Sequence, residues 1–472
     1  MHLLDSNNAV ADGRLDTESL PIEDVRIEEA VAPGPPEAGL TSPPELSDAP
    51  TSWLGRLAGQ GALSLFDQGI VSGTNFVTNV LLFRVLGETA FGWYVSLQNG
   101  LLLLRGFQDQ LICAPHLLYA QRHRGEDLAR YTGSMFLHQA VAMIVVAIIW
   151  GIVCVSASFA LLESNFTLPA AILMVAGPAI LSRDFARQIS YGRLEIGGAV
   201  VLDSSIALVQ FLGLGCLLLF GAVSLPAVFL VLGVSALTGL AVWFFLKPLI
   251  ECSAEDAAEH FVSNWTFSRW TLASHLLGST MPLVMPWILA GMKGFSATGF
   301  LAACNTIVGV ANMFVVGMCN YLCPRAAKAF ADEGVSGLTR LLGLATALFG
   351  GVLGAFTLAA WLGGDWLASM IFGREIPGGG LLLTLLAAGV LANGIGMTAG
   401  NGLWAIERPQ GNFAADGVQC LVTILATVLL VPTWGEAGSA MALLLGTASG
   451  TIVRWVTLLW LLRGEEFAPR TA

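Results

Sequence analysis

Residues 198–220, GAVVLDSSIALVQFLGLGCLLLF, and residues 226–248, PAVFLVLGVSALTGLAVWFFLKP, are two apolar stretches of 23 residues separated by only five. A hydrocarbon core about 30 Å thick is crossed by about 20 helical residues, so each stretch can span a bilayer. Neither alternates as a barrel strand does, and lipid cannot hydrogen-bond a bare backbone, which leaves the α-helix. The short connection makes the two helices antiparallel neighbours.

The same pattern extends in both directions. Spans are expected over 61–83, 92–117, 132–156, 167–189, 198–220, 226–248, 268–291, 298–322, 338–361, 379–402, 412–432 and 437–462. The fold class implied is an all-α polytopic membrane protein of about 12 transmembrane helices. Composition agrees, with 55% hydrophobic and 12% charged residues, against roughly 25% charged in soluble domains. Glycine, at 54 residues, allows close helix contact.

The first fifty residues are different material: eleven acids, two arginines and a Pro-rich end. Such a segment buries too little apolar surface to fold alone. It holds −9 of the formal net charge of −11, so the acidic balance describes a tail and gives no hint of substrate charge. The organisation expected is a disordered tail over 1–55, a six-helix lobe over 56–250, a linker over 251–268, a second six-helix lobe over 269–463 and a short tail over 464–472. The tail lacks the basic start and apolar run of a cleavable signal, so the first span is expected to stay uncleaved.

Lys and Arg orient the chain. With the N-terminus in the cytoplasm, Arg122, Arg124, Arg130, Arg183, Arg187, Arg193, Lys247, Arg269, Arg325, Lys328, Arg340, Arg408, Arg463 and Arg470 lie on or near the cytoplasmic side. Only Arg84, Lys293 and Arg374 fall outside, which under the positive-inside rule places both termini in the cytoplasm.

Function is narrowed by what the chain lacks. Its outward connections are short, the longest over 362–378, and give no room for the polar domain of a membrane glycosyltransferase, ligase or polymerase. No Gly-x-x-x-x-Gly-Lys-Ser/Thr loop is present to cradle ATP phosphates. The eight cysteines form no CxxC pair and no zinc-type spacing, so no metal, cofactor or disulfide is expected. A transporter that is not an enzyme fits these constraints.

The two halves carry a weak repeat. LGETAFGWYVSLQNG from Leu86 leads to a span ending at Ala114-Pro115-His116, and GFSATGFLAACNTIVG from Gly294 leads to one ending at Cys323-Pro324-Arg325. Two lobes related by an axis along the membrane normal would produce this, with the substrate path between them.

Several segments together resemble a known family. Asp67-Gln68 is followed by Ser72-Gly73-Thr74-Asn75-Phe76, then by Arg84-Val85-Leu86-Gly87 and Phe91-Gly92-Trp93-Tyr94. The fourth span leaves the membrane as Arg183-Asp184-Phe185-Ala186-Arg187-Gln188 and continues to Tyr191-Gly192-Arg193. These residues resemble the polysaccharide transporter branch of the multidrug/oligosaccharidyl-lipid/polysaccharide (MOP) exporter superfamily, although Glu88 stands where a proline often follows Leu-Gly.

The resemblance implies a MATE-like fold and a flippase that alternates between inward- and outward-open V shapes in a bacterial inner membrane. Its cargo would be a polyprenyl-pyrophosphate-linked oligosaccharide for exopolysaccharide, capsule or O-antigen assembly. Partners would be membrane lipids, a polysaccharide polymerase and glycosyltransferases, with no nucleic acid and a monomeric state.

Charges inside the expected spans mark the candidate site, because each costs about 2.5–3.5 kcal/mol at a helix centre unless paired or wet. They are Asp67, Arg105, Asp109, Asp203, Asp416 and Arg454, joined by His138 and His275. Arg105 and Asp109 share a helix face at i, i+4, and Asp67 is expected at the same depth. The expectation is a charged layer in which Arg105 and Arg454 attract pyrophosphate or an acidic sugar while aspartates hold them.

Arg183 and Arg187 also share a face, as phosphate guides or, more commonly, as cytoplasmic anchors. Asp203 and Asp416 are placed near the interfaces, within reach of water. Gln68 and Asn75 join Asp67, Asp109 and Asp203 as polar or coupling groups, with proton exchange at Asp67 or Asp109 a second hypothesis. The histidines read as packing residues with a local hydrogen bond. The competing readings are a cation-coupled drug antiporter of the same fold, a major-facilitator transporter, whose loop motif YAQRHRGEDLARY from Tyr119 does not match, a membrane enzyme and a scaffold.

Overall fold

The computed structural model describes residues 53–463 apart from 121–122, 124, 160–163, 194, 246–249 and 377, and these lie, Trp53 aside, in the unit Leu54–Ala472. The expected tails fall outside them except for 53–55, which are helical. In chain order come α1 (Trp53–Gln108), a π-helical turn (Asp109–Cys113), α2 (Ala114–Tyr119), α3 (Glu126–Phe159), α4 (Ser164–Gly192), α5 (Ile196–Leu219) and α6 (Leu225–Phe245). Then follow α7 (Ala254–Gly278), α8 (Thr280–Lys293), α9 (Phe295–Phe372), α10 (Gly379–Ala405) and α11 (Gln410–Arg463).

Three of these helices are too long for one crossing. The 78 residues of α9 would extend about 117 Å if straight, yet the rings of Phe314 and Phe349 lie 5.7 Å apart. The chain therefore folds back between them, at Gly334 (φ 65°, ψ −150°). In α1 the reversal is Gly87 (φ 84°, ψ 172°), which lets Val71 and Arg105 line one cavity. Gly435 (φ 55°, ψ −126°) does the same in α11, where Asp416 meets Arg454. A Cβ disfavours each of these conformations.

Among the described residues eight helices are long and apolar enough to cross a membrane, and Thr271–Gly278 with α8, bent by 42°, makes a ninth when the pair is taken as one span. Counting both limbs of α1, α9 and α11 gives the twelve crossing segments expected of this multi-pass membrane protein. The polar connections expected after spans 1, 8 and 11 shrink to single glycines, since hydropathy does not register a backbone that stays helical outside the lipid. Much of the expected linker over 251–268 is likewise helix, with the Ser253 side chain capping α7 at the Asp256 N–H.

Helix α7 lies along α3 and the π-helical turn of the first half. Pro115 has no N–H to give Leu111 and its ring disfavours a regular turn there, and the wide turn Asp109–Cys113 absorbs the misfit. The Ser268 hydroxyl donates to the Leu111 carbonyl, and that of Thr271 to the Gln110 carbonyl, each at 3.5 Å. Gly106 is the crossing point, since a methyl there would collide with the His275 ring.

One buried cluster joins both halves at the Gly87 end, including Phe83, Phe91 and Leu97 with Leu289, Phe372 and Leu383. At the opposite end two clusters stay apart, one around Tyr131 and Phe185 and the other around Leu338 and Leu403. The halves thus share a core at the Gly87 end, while at the opposite end their cores are separate and α7 bridges to the first half.

The closure has a reciprocal form. A methyl at Gly92 would overlap the Phe295 carbonyl oxygen, and one at Gly299 would overlap the Glu88 carbonyl oxygen, so two glycines let the hairpin turns touch backbone to backbone. Around them Arg84 donates to the Ile371 and Met370 carbonyls at 2.7 and 2.9 Å, satisfying groups that the end of α9 leaves open. Arg374 pairs with Glu88 and donates to the Phe83 carbonyl. Because the Glu88–Arg374 pair is about one-third exposed, with side chains at 34% and 35%, Glu88→Gln should cost no more than about 1 kcal/mol. Thermal unfolding of the two proteins checks this, and a larger loss would make the ion pair rather than the glycines the main fastening.

Candidate functional site

The buried charges of the first half gather in two adjacent ion-paired groups around one cavity. Arg187 on α4 lies between two aspartates: its Nε donates to Asp203 Oδ2 on α5 at 2.6 Å, and its Nη2 to Asp67 Oδ2 on α1 at 2.6 Å. Tyr191, one helical turn on, donates its hydroxyl to the same Asp67 oxygen at 2.7 Å. Asp67 is fully buried and Asp203 nearly so, and the single positive charge of the Arg187 guanidinium is shared between them, which lowers the cost of burying them. One side chain thereby ties three helices together.

Arg105 on the second limb of α1 stands beside it. Its Nε lies 3.4 Å from Asp109 Oδ2 and its Nη1 3.3 Å from Asp184 Oδ2, while Arg183 Nε is 3.4 Å from Asp184 Oδ1. Arg105, Arg183, Arg187, Asp184 and Asp203 all line a cavity of about 90 Å³, with Asn75, Gln98 and Gln210 among its neutral polar walls. Three guanidiniums and two carboxylates face this space. Each guanidinium carries five donors, and the carboxylates engage only some of them, so N–H groups remain for an anion.

A larger cavity of about 460 Å³ opens next to it, between the halves, and shares Asn75, Gln98 and Leu102 with the first. Its walls come from both limbs of α1 and from α8, α9, α10 and α11.

The structure rearranges several sequence assignments. The i, i+4 pair Arg105–Asp109 is present, but Asp67 reaches neither partner and is held by Arg187 and Tyr191 instead. Arg187 is not an exposed anchor: α4 continues to Gly192, so Arg187 stays inside the helix packing. Asp203 does not reach out to water but accepts from Arg187. Arg454 lines neither cavity; it pairs with Asp416, which packs on Gly278 of α7. The single layer containing both Arg105 and Arg454 is therefore two separate clusters, because the Gly435 turn sends Arg454 back to its own hairpin partner.

Asn75 lines both cavities, and Gln68 lines neither, its carbonyl lying 3.5 Å from Arg187 Nη2. His138 donates from Nε2 to the Ala257 carbonyl at 2.8 Å, a helix-packing bond. His275 packs on Gly106, and its Nε2 is buried with no hydrogen-bond partner among the described residues.

In the sequence Asp184 and Tyr191 stand out only as part of a motif, and neither they nor Gln98 and Gln210 are named there as site residues. Asp184, Arg187 and Tyr191 follow the i, i+3, i+7 spacing of one helix face, a signal that appears only if the fourth span is continued past 189.

No protein-family model matches the chain and no curated protein is similar to it in sequence. Solved structures are similar in fold. An inward-facing multidrug resistance MATE family transporter of the MOP superfamily superposes with a TM-score of 0.70 at 11% identity, over 86% of this chain and 96% of that one. The lipid II flippase MurJ in an inward closed conformation gives 0.68 at 13%, over 85% and 87%. A MOP superfamily transporter from Pyrococcus furiosus gives 0.60 at 12%, over 86% and 95%. The chain has the MATE-like fold of MOP superfamily transporters.

Proposed function

We propose that the protein carries a polyprenyl-pyrophosphate-linked oligosaccharide across a bacterial inner membrane, for exopolysaccharide, capsule or O-antigen assembly. The observation that carries this reading is the cavity walled by Arg105, Arg183 and Arg187, adjoining a larger inter-half cavity. Guanidiniums in a fixed fork suit phosphate oxygens, and aspartates hold all three of them in place before the anion arrives. The fold shared with a lipid II flippase supports the class of cargo.

In this reading both termini are cytoplasmic and the Gly87 end faces the periplasm, so the clasp shuts the periplasmic side. Binding of the headgroup and release of the clasp then alternate, which moves the cargo between leaflets. A cation-coupled drug antiporter is less well supported: a cationic drug needs a carboxylate to pair with, and each carboxylate at the cavity walls has an arginine partner.

Two results test the reading. In cells lacking the protein, complete lipid-linked repeat units should accumulate on the cytoplasmic leaflet, inaccessible to a membrane-impermeant sugar probe, with loss of surface polysaccharide. Arg105→Gln should abolish export at unchanged protein level, since Arg105 is partly exposed to the cavity. Normal glycan export in its absence would overturn the proposal and direct attention to small-molecule efflux.

A further inference from the structure

The larger cavity has an uncharged polar stretch set in a mostly apolar wall. Its hydrogen-bonding side chains are Ser72, Asn75, Asn79, Tyr94, Gln98 and Asn99 from α1 with Asn305 and Thr306 from α9, and among the described residues no Asp, Glu, Lys, Arg or His lines it. Each amide offers two N–H donors and a carbonyl acceptor, and a hydroxyl is itself both donor and acceptor, so five amides match a polyol. A carboxylate or ammonium lodged here would leave water without an opposite charge to pair with. The remaining wall, including Pro282, Leu283 and Met285, offers apolar surface to the C–H face of a pyranose ring. The volume of about 460 Å³ lies within the roughly 300–1,000 Å³ of small-molecule sites.

We propose that this cavity seats an uncharged sugar of the transported molecule, the one nearest its phosphate, which rests on reading the arginine cavity as the phosphate site. Asn75 and Gln98 border both spaces, so the two groups can belong to one cargo. The sugar-binding residues are Asn79 and Asn305 foremost, one on each half. Asn79 Nδ2 donates to Thr306 Oγ1 across the cavity at 3.3 Å. A sugar hydroxyl taking either partner replaces that direct link, so occupancy acts on the separation of the halves through the same atoms.

The test uses the purified full chain in nanodiscs. Methyl glycosides of the neutral hexoses and N-acetylhexosamines, the corresponding uronic acids, and inorganic pyrophosphate are titrated separately, the sugars by saturation-transfer NMR and pyrophosphate by calorimetry. At least one neutral glycoside should bind, with its dissociation constant raised at least tenfold in Asn79→Leu and in Asn305→Leu, and no uronic acid should compete with it. Asn305→Asp, which keeps the shape but removes the amide donors, should weaken the same glycoside and guards against a folding defect in the leucine variants. Pyrophosphate should bind equally to all asparagine variants and be lost in Arg105→Gln. Pyrophosphate binding with no neutral glycoside bound, or a uronic acid bound as tightly, overturns the sugar assignment alone; glycoside binding without pyrophosphate binding overturns only the phosphate reading.

Discussion

Arg187→Leu is expected to cost about 3–5 kcal/mol, the range for removing one partner of a buried ion pair. The reason is what remains: Asp67 at 0% exposure and Asp203 at 6%, facing each other with no cation between them. Their link through Arg187 holds α1, α4 and α5 together, so the loss should appear as a lower unfolding temperature in detergent and less folded protein in the membrane. The companion variant is Arg187→Leu with Asp67→Asn and Asp203→Asn, which removes the stranded charges. It should recover much of the stability without recovering transport. If Arg187→Leu alone unfolds like the unmodified protein, the cluster is not a structural tie and its aspartates are already solvated or protonated.

The second large effect is conformational. Gly92→Ala puts a methyl where the Phe295 carbonyl oxygen now lies, and backbone cannot step aside as a flexible side chain can. Overpacking of this kind costs about 1–3 kcal/mol. Because the contact exists only while the Gly87 end is closed, the penalty falls on that state alone, and a difference of about 1–3 kcal/mol shifts a two-state equilibrium by roughly 5–150-fold. Spin labels at Phe220 and Trp361, 81% and 68% exposed at that end on the two halves, should report a longer distance in Gly92→Ala. Gly299→Ala should do the same, since its methyl would meet the Glu88 carbonyl from the other side of the clasp. An unchanged distance in both variants would mean that the clasp is not what holds the end shut. Glu88→Gln at the rim of the same closure provides the contrast, with its small expected loss.

Both effects originate in features of unequal visibility. Gly92 and Gly299 stand at matching places in the two weakly repeated segments, and that similarity pointed to two related halves before any contact was known. Their mutual backbone approach was not legible, because a glycine kept small for packing looks the same in sequence as one kept for a turn. Arg187 was visible as a cation near a span end, but a cation at a span end ordinarily snorkels to water. Only the continuation of α4 to Gly192, which keeps Arg187 within the helix packing, turns it inward between carboxylates from two other helices.

Arg454 illustrates the same limit from the opposite side. Depth alone allowed it to share a layer with Arg105, since depth is one coordinate and says nothing of the direction in which a helix faces. The Gly435 reversal returns it to Asp416 on the preceding limb, and neither residue lines either cavity.

What the sequence by itself determined is the class of the molecule. Twelve apolar runs of bilayer length admit only helices, because lipid leaves the backbone no other hydrogen-bonding partner, and their order and number follow from one-dimensional periodicity. Local pairs such as Arg105–Asp109 are equally determined, since i, i+4 spacing places them together on any helix. The tertiary structure decided which charge meets which across helices, where α1, α9 and α11 turn back, and that the cavity between the halves is lined by amides while the arginines stand beside it. Those outcomes depend on the rotation and approach of helices about one another, and close packing fixes both through contacts between residues far apart in the chain.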